Sequence, residues 1–248
     1  MPNSESPVLY ESRDGIAVIT LNRPERLNAV NTAVQNGLNA AWHRLNDSDD
    51  RVAILTHAGN DFSVGNDVKD PAADFAKAVP NVGVRLAKPL IAAPSGWVVG
   101  GSLCLVQMAD LCVAADTAKF LYPEAKLGIT GAVIAGVAAR IPHKVAMELM
   151  LLGETVSAQR MYEVGFVNRV VPRAELMPTA MAFAERIRDN APLVMQTFRR
   201  FVAELLPKGP SEYAAMVRMD LEQVRQSADA KEGVAAFKEK RKARFQGK

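Results

Sequence analysis

Residues 89–109 read PLIAAPSGWVVGGSLCLVQMA and carry no charged side chain. An uncharged stretch of this length could cross a bilayer as a single helix. Pro94 and the glycines Gly96, Gly100 and Gly101 interrupt it, however, and proline and glycine are typical of turns and helix ends. The pattern therefore predicts a short strand, a turn and the start of a buried helix, and we expect no membrane partner.

Strand and helix patterns alternate around this stretch. Short apolar runs predict strands, and apolar residues recurring every three or four positions predict a helix at residues 32–45. The predicted strands are residues 16–21, 52–56, 90–93 and 111–114. Beyond about residue 135, helices are predicted at residues 145–152, 158–164, 176–190 and 192–206. The sequence thus predicts an α/β fold with a helical C-terminal region.

Composition narrows the class of protein further. The chain has 248 residues, of which 49% are hydrophobic, so it can bury the core of one domain. Its 30 basic and 27 acidic residues give a net charge of +3, which is too small to predict a nucleic-acid partner. Cys104 and Cys112 lie in apolar surroundings and lack the spacing of metal ligands, so neither a disulfide nor a metal site is predicted. Because the first twenty residues lack a signal-peptide pattern, we expect a cytoplasmic protein.

The C-terminal tail is the most basic part of the chain. Residues 231–248 hold seven basic and two acidic side chains. Two explanations stay open: a solvated helix face, or a site for a phosphorylated ligand. Asp229 is followed three residues later by Glu232, a capping-box pattern that predicts the start of the last helix at Asp229.

Two glycine-containing segments are candidates for a binding site. Residues 61–69, DFSVGNDVK, follow a predicted strand and include Gly65, which permits backbone angles that can aim an N–H group at a ligand. An ordinary connecting loop would have the same composition. Gly100 and Gly101 precede a helix whose first N–H groups have no partner within the helix, so that its start can bind an oxyanion. Close backbone packing is the alternative explanation for this pair.

A third segment contains a lone carboxylate. Residues 120–128, FLYPEAKLG, place Glu124 among mostly apolar residues. Burial raises the pKa of a carboxyl group and suits it to proton transfer. The alternative is a helix-start residue, which is also typical of a glutamate after a proline.

Together and in this order, these segments resemble the crotonase superfamily, the enoyl-CoA hydratase/isomerase family, along almost the whole chain. Residues 22–29, NRPERLNA, resemble that family's early loop that contacts coenzyme A. Residues 62–69 resemble its F-S-A-G-x-D-x-K segment, and residues 153–171 resemble a later segment that ends in G-x-V-x-x-V-V. Residues 96–110 resemble its G-x-x-x-G-G-G helix start, with Ser102 in place of the last glycine.

The resemblance implies a spiral of β-β-α units at residues 1–190, which carries the thioester site, and a helical trimerisation region at residues 191–248. The implied assembly is a homotrimer or a dimer of trimers. The backbone N–H groups of Asn66 and Gly101 would form an oxyanion hole for the thioester, and Glu124 would transfer protons. No metal or redox cofactor is implied, because coenzyme A is part of the acyl-CoA substrate.

The resemblance also implies which residues bind coenzyme A. In the family, the C-terminal helix helps to hold the adenosine and phosphates, often from a neighbouring subunit. The loops at residues 22–29 and 62–69 would contribute at the same end, partly through backbone groups that bracket the adenine. The implied residues are Arg26, Leu27, Val64, Asp67, Val68, Lys69, Phe237 and Lys240.

One position departs from the family pattern in a way that bears on the reaction. Hydratases of the family hold water between two glutamates, and Cys104 stands where one of them is expected. A thiol is mostly neutral at neutral pH and orients water poorly, whereas one carboxylate can still move a proton between carbons. We therefore expect isomerase-like chemistry with Glu124 alone, and action on aryl-acyl thioesters stays open.

Two alternatives accompany this interpretation. Cys104 could be a nucleophile, but a small buried hydrophobe is favoured because no histidine is evidently placed to activate it. The whole chain could also be a catalytically inactive acyl-CoA-binding or assembly protein. Retention of Glu124 favours the enzyme, since a binding protein has no need of a proton-transfer group.

Overall fold

The computed structural model describes residues 6–129 and 131–248, in which nine strands form two sheets. The strands are β1 (Val8–Arg13), β2 (Ile16–Leu21), β3 (Val52–His57), β4 (Leu90–Ala92), β5 (Trp97–Val99), β6 (Leu111–Ala115), β7 (Lys119–Leu121), β8 (Val156–Ser157) and β9 (Arg169–Val171). The larger sheet has the order β1-β2-β3-β4-β6-β9, and all its pairs except β1 with β2 are parallel. The smaller sheet has the order β5-β7-β8.

Helices follow the strands and dominate the second half of the chain. The helices are α1 (Thr32–Asp47), α2 (Gly101–Gln107), α3 (Glu124–Leu127), α4 (His143–Leu152), α5 (Ala158–Glu163), α6 (Leu176–Arg188), α7 (Pro192–Leu205), α8 (Pro210–Gln226) and α9 (Ala228–Lys238). Short 3₁₀ helices lie at Pro24–Arg26, Phe75–Ala78, Ala132–Ala139 and Arg173–Glu175.

The chain passes repeatedly from the larger sheet to the smaller sheet and then into a helix. Strand β4 belongs to the larger sheet, β5 to the smaller one, and α2 follows; β6, β7 and α3 repeat the same order. This repeat is the β-β-α spiral that the resemblance implied, and it places the starts of α2 and α3 after neighbouring strands of the smaller sheet. The predicted α/β fold class with a helical C-terminal region is confirmed.

The central strands β3, β4 and β6 of the larger sheet are buried on both faces, because side chains alternate along a strand and helices cover each side. On one face, Ile54 and Ile91 pack with Leu176 of α6. On the other face, Leu55 packs in the same apolar cluster as Trp42 of α1. All six residues of β3 are buried, which explains why the sequence shows a continuous apolar run there.

The four strands predicted from apolar runs are confirmed, each within one residue of its observed ends. Residues 89–109 are divided as predicted into a strand, a turn and a buried helix, with the short strand β5 between the turn and the helix. Among the described residues, no helix is long and apolar enough to cross a membrane.

The predicted start of the last helix at Asp229 is wrong. The N-cap is Ser227, whose side chain accepts a hydrogen bond from the N–H of Ala230 at 3.0 Å. The carboxylate of Asp229 instead accepts hydrogen bonds from the N–H groups of Gln246 and Gly247, each at 2.7 Å. A serine two residues earlier supplies the capping oxygen, so the aspartate is available to hold the tail.

Helices α7 and α8 are joined to the core by ion pairs. Arg199 of α7 donates to both carboxylate oxygens of Asp110 at 2.9 Å, and Arg140 pairs with Glu212 of α8 at 2.9 Å. Helix α7 buries none of its residues. The large apolar side chains that these two helices expose are Leu193, Val194, Phe198, Phe201, Val202, Leu205, Tyr213, Val217, Leu221 and Val224.

Candidate active site

The two glycine-containing segments lie side by side. Ser63 and Val98 form a parallel bridge, in which the N–H of Ser63 donates to the carbonyl of Trp97 and the N–H of Val99 donates to the carbonyl of Ser63, each at 3.0 Å. The segment at residues 61–69 thus extends the smaller sheet next to β5. The loop that follows β3 is brought directly to the start of α2.

Glycine is required where these segments approach most closely. Gly65 has a φ of +86°, and a Cβ added there would lie 2.6 Å from the carbonyl oxygen of Val99 and 3.4 Å from the nitrogen of Gly101. Asn66 is exposed, and its side-chain oxygen accepts a hydrogen bond from the N–H of Ala72. Asn66 directly follows Gly65, which packs against the start of α2, so the backbone of Asn66 lies near that helix start.

The backbone N–H groups of Asn66 and Gly101 donate no hydrogen bond within residues 6–129 and 131–248. For Gly101 the cause is its position at the first turn of α2, where an N–H has no acceptor within the helix. The flanking residues of Asn66 are paired: the carbonyl of Gly65 accepts from Val30, and the N–H of Asp67 donates to Val30. The two adjacent segments thus present unused backbone donors at the two positions that the resemblance implied.

Phe75 contacts Gly101. A Cβ added at Gly101 would lie 2.6 Å from Cζ of Phe75, so the ring rests against the α carbon of this glycine. The 3₁₀ helix that carries Phe75 is held by Trp42, whose Nε1 donates to the carbonyl of Ala78 at 2.8 Å. Sequence reasoning missed Phe75, because an aromatic residue in a stretch without a clear helix or strand pattern gives no signal of its partner.

Glu124 is buried at the first position of α3. Its side chain is close to Gly100: a Cβ added at this glycine, which has a φ of +58°, would lie 2.6 Å from Oε1 of Glu124. Its Oε2 atom is buried without a hydrogen-bond partner in the described part of the chain. Burial raises the pKa of Glu124, although its own backbone N–H opposes the shift. The carboxyl of Glu124 thus contacts Gly100, the residue that precedes Gly101 with its unused N–H. A carboxyl group without a partner and with a raised pKa is suited to accept and return a proton.

Cys104 faces the same region from the second turn of α2. Burial raises the pKa of its thiol from 9.0 to about 12, and the negative charge of Glu124 acts in the same direction. The positive charge of Arg140 opposes this shift and the negative charge of Glu212 adds to it, so both charges lie close enough to Cys104 to affect the pKa of its thiol. The thiol is therefore neutral at neutral pH and cannot act as a second carboxylate.

A polar cluster lies on the far side of Cys104. Gln107, on the same face of α2, is buried, and its Nε2 donates to the carbonyl of Val133 at 3.0 Å. A Cβ added at Gly136 would lie within 3.0 Å of polar atoms of Gln107, Arg140 and Glu212, so the absence of a side chain there lets these groups converge. Sequence reasoning missed this cluster because its members come from three separate elements.

The implied coenzyme A residues of the two N-terminal loops are brought together. Asp67 is buried and pairs with Arg23 at 3.3 Å and with Arg26 at 3.7 Å. Burial raises the pKa of Asp67, but hydrogen bonds from the N–H groups of Lys69 and Asp70 and from Arg23 outweigh it, so the pKa is lowered. Its carboxylate therefore holds the loops together and is not available to contact a ligand.

The other implied residues of the two loops are at least partly accessible to solvent. The N–H of Val64 donates to the carbonyl of Leu27 at 3.2 Å, and Val64 is half-buried. Leu27, Val68 and Lys69 are exposed, with 90% of Val68 accessible to solvent. An apolar side chain exposed to that degree is free to contact a bound ring.

Phe237 and Lys240 lie elsewhere, at the end of α9 and just beyond it. Both are exposed, Phe237 by 86%. In the described part of the chain, no hydrogen bond or ion pair joins them to the loops at residues 22–29 and 62–69. Arg241 beside them is engaged with Glu232 and Glu239, which neutralises part of the basic tail.

Comparison with known proteins agrees with this architecture. The profile of the enoyl-CoA hydratase/isomerase family matches residues 11–248. An (E)-benzylidenesuccinyl-CoA hydratase of Thauera aromatica is 35% identical over 258 residues, with 97% of this chain and 99% of that protein covered.

Solved structures are similar along the chain as well. A probable enoyl-CoA hydratase/isomerase from Mycobacterium abscessus is 39% identical, has a TM-score of 0.75 and covers 98% of this chain and 99% of its own. A monofunctional enoyl-CoA isomerase from M. smegmatis is 32% identical, has a TM-score of 0.71 and covers 80% of this chain and 93% of its own.

The two-sheet spiral, with a buried carboxyl beside unused backbone donors, defines a protein of the crotonase class. Within that class, this chain belongs to the enoyl-CoA hydratase/isomerase family. Enzymes of this family need no added cofactor, because coenzyme A is carried by the substrate.

Proposed function

We propose that this protein is an isomerase-like acyl-CoA enzyme in which Glu124 alone transfers protons. The observation that carries the proposal is the environment of Glu124, a buried carboxyl whose Oε2 has no partner among the described residues and whose pKa is raised by burial. The unused N–H groups of Asn66 and Gly101 stabilise the thioester oxyanion. Both are backbone donors fixed by neighbouring hydrogen bonds, so they need no reorganisation when charge develops.

One carboxylate is sufficient for the isomerisation, because it can remove a proton from one carbon and return it to another. In a 3-enoyl-CoA, the Glu124 carboxylate removes a proton from C2, and the electron pair of that C–H bond delocalises onto the thioester oxygen. The protonated Glu124 then returns the proton to C4, so that the double bond between C3 and C4 is lost and one between C2 and C3 forms. Negative charge on oxygen is largest between these steps, which is when the two N–H donors contribute most.

Hydration is disfavoured by the chemistry of Cys104. Holding a water molecule for attack on C3 requires a second strong acceptor near Glu124, and a neutral thiol with a pKa of about 12 is a weak one. The region beyond Cys104 is occupied by the Arg140–Glu212 pair. These charges already satisfy each other, so neither of them replaces the missing glutamate.

Coenzyme A is bound at the junction of two subunits in this proposal. The loops at residues 22–29 and 62–69 supply one side, including Arg26, Leu27 and Lys69. Phe237 and Lys240 supply the other side from a neighbouring copy, which explains why they lie exposed and apart from those loops. The exposed apolar faces of α7 and α8 support association between copies, since patches of this kind are typical of interfaces. The homotrimer is the assembly that the resemblance implies.

Steady-state turnover tests the proposal with crotonyl-CoA, a 3-enoyl-CoA and an aryl-acyl-CoA as substrates. Wild type should isomerise the 3-enoyl-CoA, and Glu124→Gln should lower kcat by at least about 10²-fold, which is the typical contribution of a general base. Cys104→Glu should gain hydration of crotonyl-CoA, whereas the matched control Cys104→Gln, which has a similar shape and no charge, should not.

The outcomes separate the remaining possibilities. Efficient hydration of crotonyl-CoA by wild type would contradict the single-carboxylate proposal. If wild type turned over none of the three substrates yet bound acyl-CoA tightly, the protein would be an acyl-CoA-binding protein. The assembly is tested by light scattering, where a mass of three or six chains is expected and a monomer would contradict the shared coenzyme A site.

A further inference from the structure

The hydroxyl of Ser102 lies between the two segments that carry the unused N–H donors. Ser102 is fully buried, and its Oγ is 2.8 Å from the carbonyl oxygen of Ser63 and 2.8 Å from that of Val99. The same oxygen accepts a hydrogen bond from the N–H of Val99 at 2.9 Å. One side chain thus contacts backbone groups of both segments, although its single proton can be donated to only one carbonyl at a time.

Ser102 and its hydrogen-bond partner Ser63 lie close in the chain to the two N–H donors. Ser102 follows Gly101 directly in the chain, and the carbonyl that it binds belongs to Ser63, three residues before Asn66. The hydroxyl of Ser63 in turn accepts a hydrogen bond from the N–H of Gly65 at 3.1 Å. Two buried serines therefore fix the backbone on both sides of the gap between Asn66 and Gly101.

The backbone hydrogen bonds between the two segments do not by themselves fix the positions of Asn66 and Gly101. They join Phe62 to Ser95 and Ser63 to Trp97 and Val99, all of which precede the two donors in the chain. Beyond that point, within the described residues, no backbone hydrogen bond joins Gly65 or Asn66 to the start of α2, although Gly65 packs closely against it. The bond from Ser102 to Ser63 is the side-chain link that connects the first turn of α2 back to the neighbouring segment.

We infer that Ser102 is a positioning residue, which acts through the backbone to keep the N–H groups of Asn66 and Gly101 at the separation that an oxyanion requires. This inference rests on the proposed function of those two N–H groups. Ser102 touches no substrate, and it is not a nucleophile, because its hydroxyl is buried in backbone contacts. Loss of the hydroxyl lets α2 shift relative to the 62–66 segment, which displaces a donor without removing it.

We expect Ser102→Ala to fold. In Ser102→Ala, the N–H of Val99 keeps its bond to the carbonyl of Ser63 at 3.0 Å, so this buried donor stays satisfied. Complete loss of one oxyanion donor typically costs about 10²–10³ in kcat, and a displaced donor should cost less. We therefore expect kcat to fall about 10-fold while KM changes by less than about twofold.

Ser95→Ala is the matched control. Ser95 is another fully buried serine in the same turn region, and its hydroxyl contacts Nε2 of His57 at 2.9 Å and the carbonyl of Asn60 at 3.1 Å, away from the two donors. Both alanine variants remove one buried hydroxyl, and urea unfolding should show similar losses of stability. Only the Ser102 variant should lose kcat by about 10-fold.

Binding of the enolate of acetoacetyl-CoA gives a second measurement that does not depend on turnover. This probe carries negative charge on the oxygens that an oxyanion hole contacts, whereas butyryl-CoA is neutral there. Ser102→Ala should weaken binding of the enolate about 10-fold and leave binding of butyryl-CoA within about twofold.

Turnover and enolate binding together distinguish a purely structural Ser102 from the absence of an oxyanion hole. If wild type is active and Glu124→Gln is not, but Ser102→Ala and Ser95→Ala have the same kcat and the same enolate affinity, Ser102 is only a structural serine. If wild type turns over no acyl-CoA and does not prefer the enolate to butyryl-CoA, the oxyanion hole itself is refuted.

Discussion

His57 provides the sharpest prediction about stability. It is 6% exposed at the end of β3, and its ring stacks edge to face with Phe62 at a centroid distance of 5.9 Å. The backbone N–H of Ser95 donates to Nε2 of His57 at 3.1 Å, so this nitrogen must be unprotonated. Nδ1 therefore carries the proton and faces the carbonyl of Ala58.

Burial lowers the pKa of His57 from 6.5 to about 4, and the positive charge of Arg173 adds to the shift. The carbonyl of Ala58 and the carboxylate of Asp61 oppose it. A histidine with a lowered pKa stays neutral in the folded state while the unfolded state binds a proton as the pH falls below 6.5. The folded protein therefore loses stability as the pH falls from 6.5 towards 4, and the loss is complete below the folded pKa.

The magnitude follows from the difference between the two pKa values. Each pKa unit corresponds to about 1.4 kcal/mol, so the full loss is about 3 kcal/mol, with about 2 kcal/mol already lost at pH 5. The full loss is a large share of the 5–15 kcal/mol that typically separates folded from unfolded proteins, on the order of a fifth to three fifths.

Urea unfolding at a fixed protein concentration, at pH 8, 6.5, 5 and 4, would measure this loss in wild type and in His57→Gln. The glutamine variant keeps a polar side chain but cannot titrate, and all other ionisable groups are common to both proteins. The difference between the two unfolding free energies should therefore shift by about 2 kcal/mol from pH 8 to pH 5. A difference that is constant with pH would refute the assignment of His57 as a buried neutral imidazole.

Three further predictions concern the site and the attachment of the C-terminal helices. The plot of kcat/KM against pH should fall on the acid side with a midpoint above 4.5, because burial raises the pKa of Glu124; a midpoint at or below 4.5 would contradict this. Gly101→Ala should lose both stability and activity, because its Cβ would lie 2.6 Å from Phe75, and adding Phe75→Ala should recover the stability, measured by thermal unfolding. Glu212→Ala should lower the free energy of unfolding by about 3 kcal/mol in urea, because it leaves the half-buried Arg140 unpaired, and a loss below about 1 kcal/mol would show that the pair contributes little.

The sequence predicted the parts of the fold that local patterns encode. Apolar runs located β2, β3, β4 and β6 because these strands are largely buried, and helical periodicity located α1 because one of its faces is buried. The exposed edge strands β1 and β9 were not predicted. Helix α8 was not predicted individually, since its exposed apolar residues blur the contrast between its faces. The start of α9 was misplaced because Ser227 and Asp229 both suit an N-cap, and the choice depends on the tail that Asp229 holds.

Site residues were predictable only where a motif carried them. Glycines at 65, 100 and 101 marked the two segments as candidates, and the resemblance assigned a role to the N–H groups of Asn66 and Gly101. Phe75 and the Arg140–Glu212 pair were not predictable, because they reach the site from elements far apart in the chain. Burial of Glu124 was a condition for its proposed role, and only the three-dimensional packing around α3 supplies it.

The distribution of these contacts suggests why one scaffold can support different reactions. Gly65, Gly100 and Gly101 each sit where a side chain would collide with a neighbour, so the backbone donors depend on small residues and not on functional groups. Position 104 is different, because its side chain lies near enough to Glu124 for the carboxylate charge to raise the pKa of the thiol, and it makes no hydrogen bond to the two donor segments within the described residues. A change from thiol to carboxylate there would alter what is held opposite Glu124 and leave the oxyanion donors in place. In the proposed function, the choice between moving a proton and adding water therefore depends on residue 104, and the ability to stabilise an enolate depends on the glycines and on Ser102.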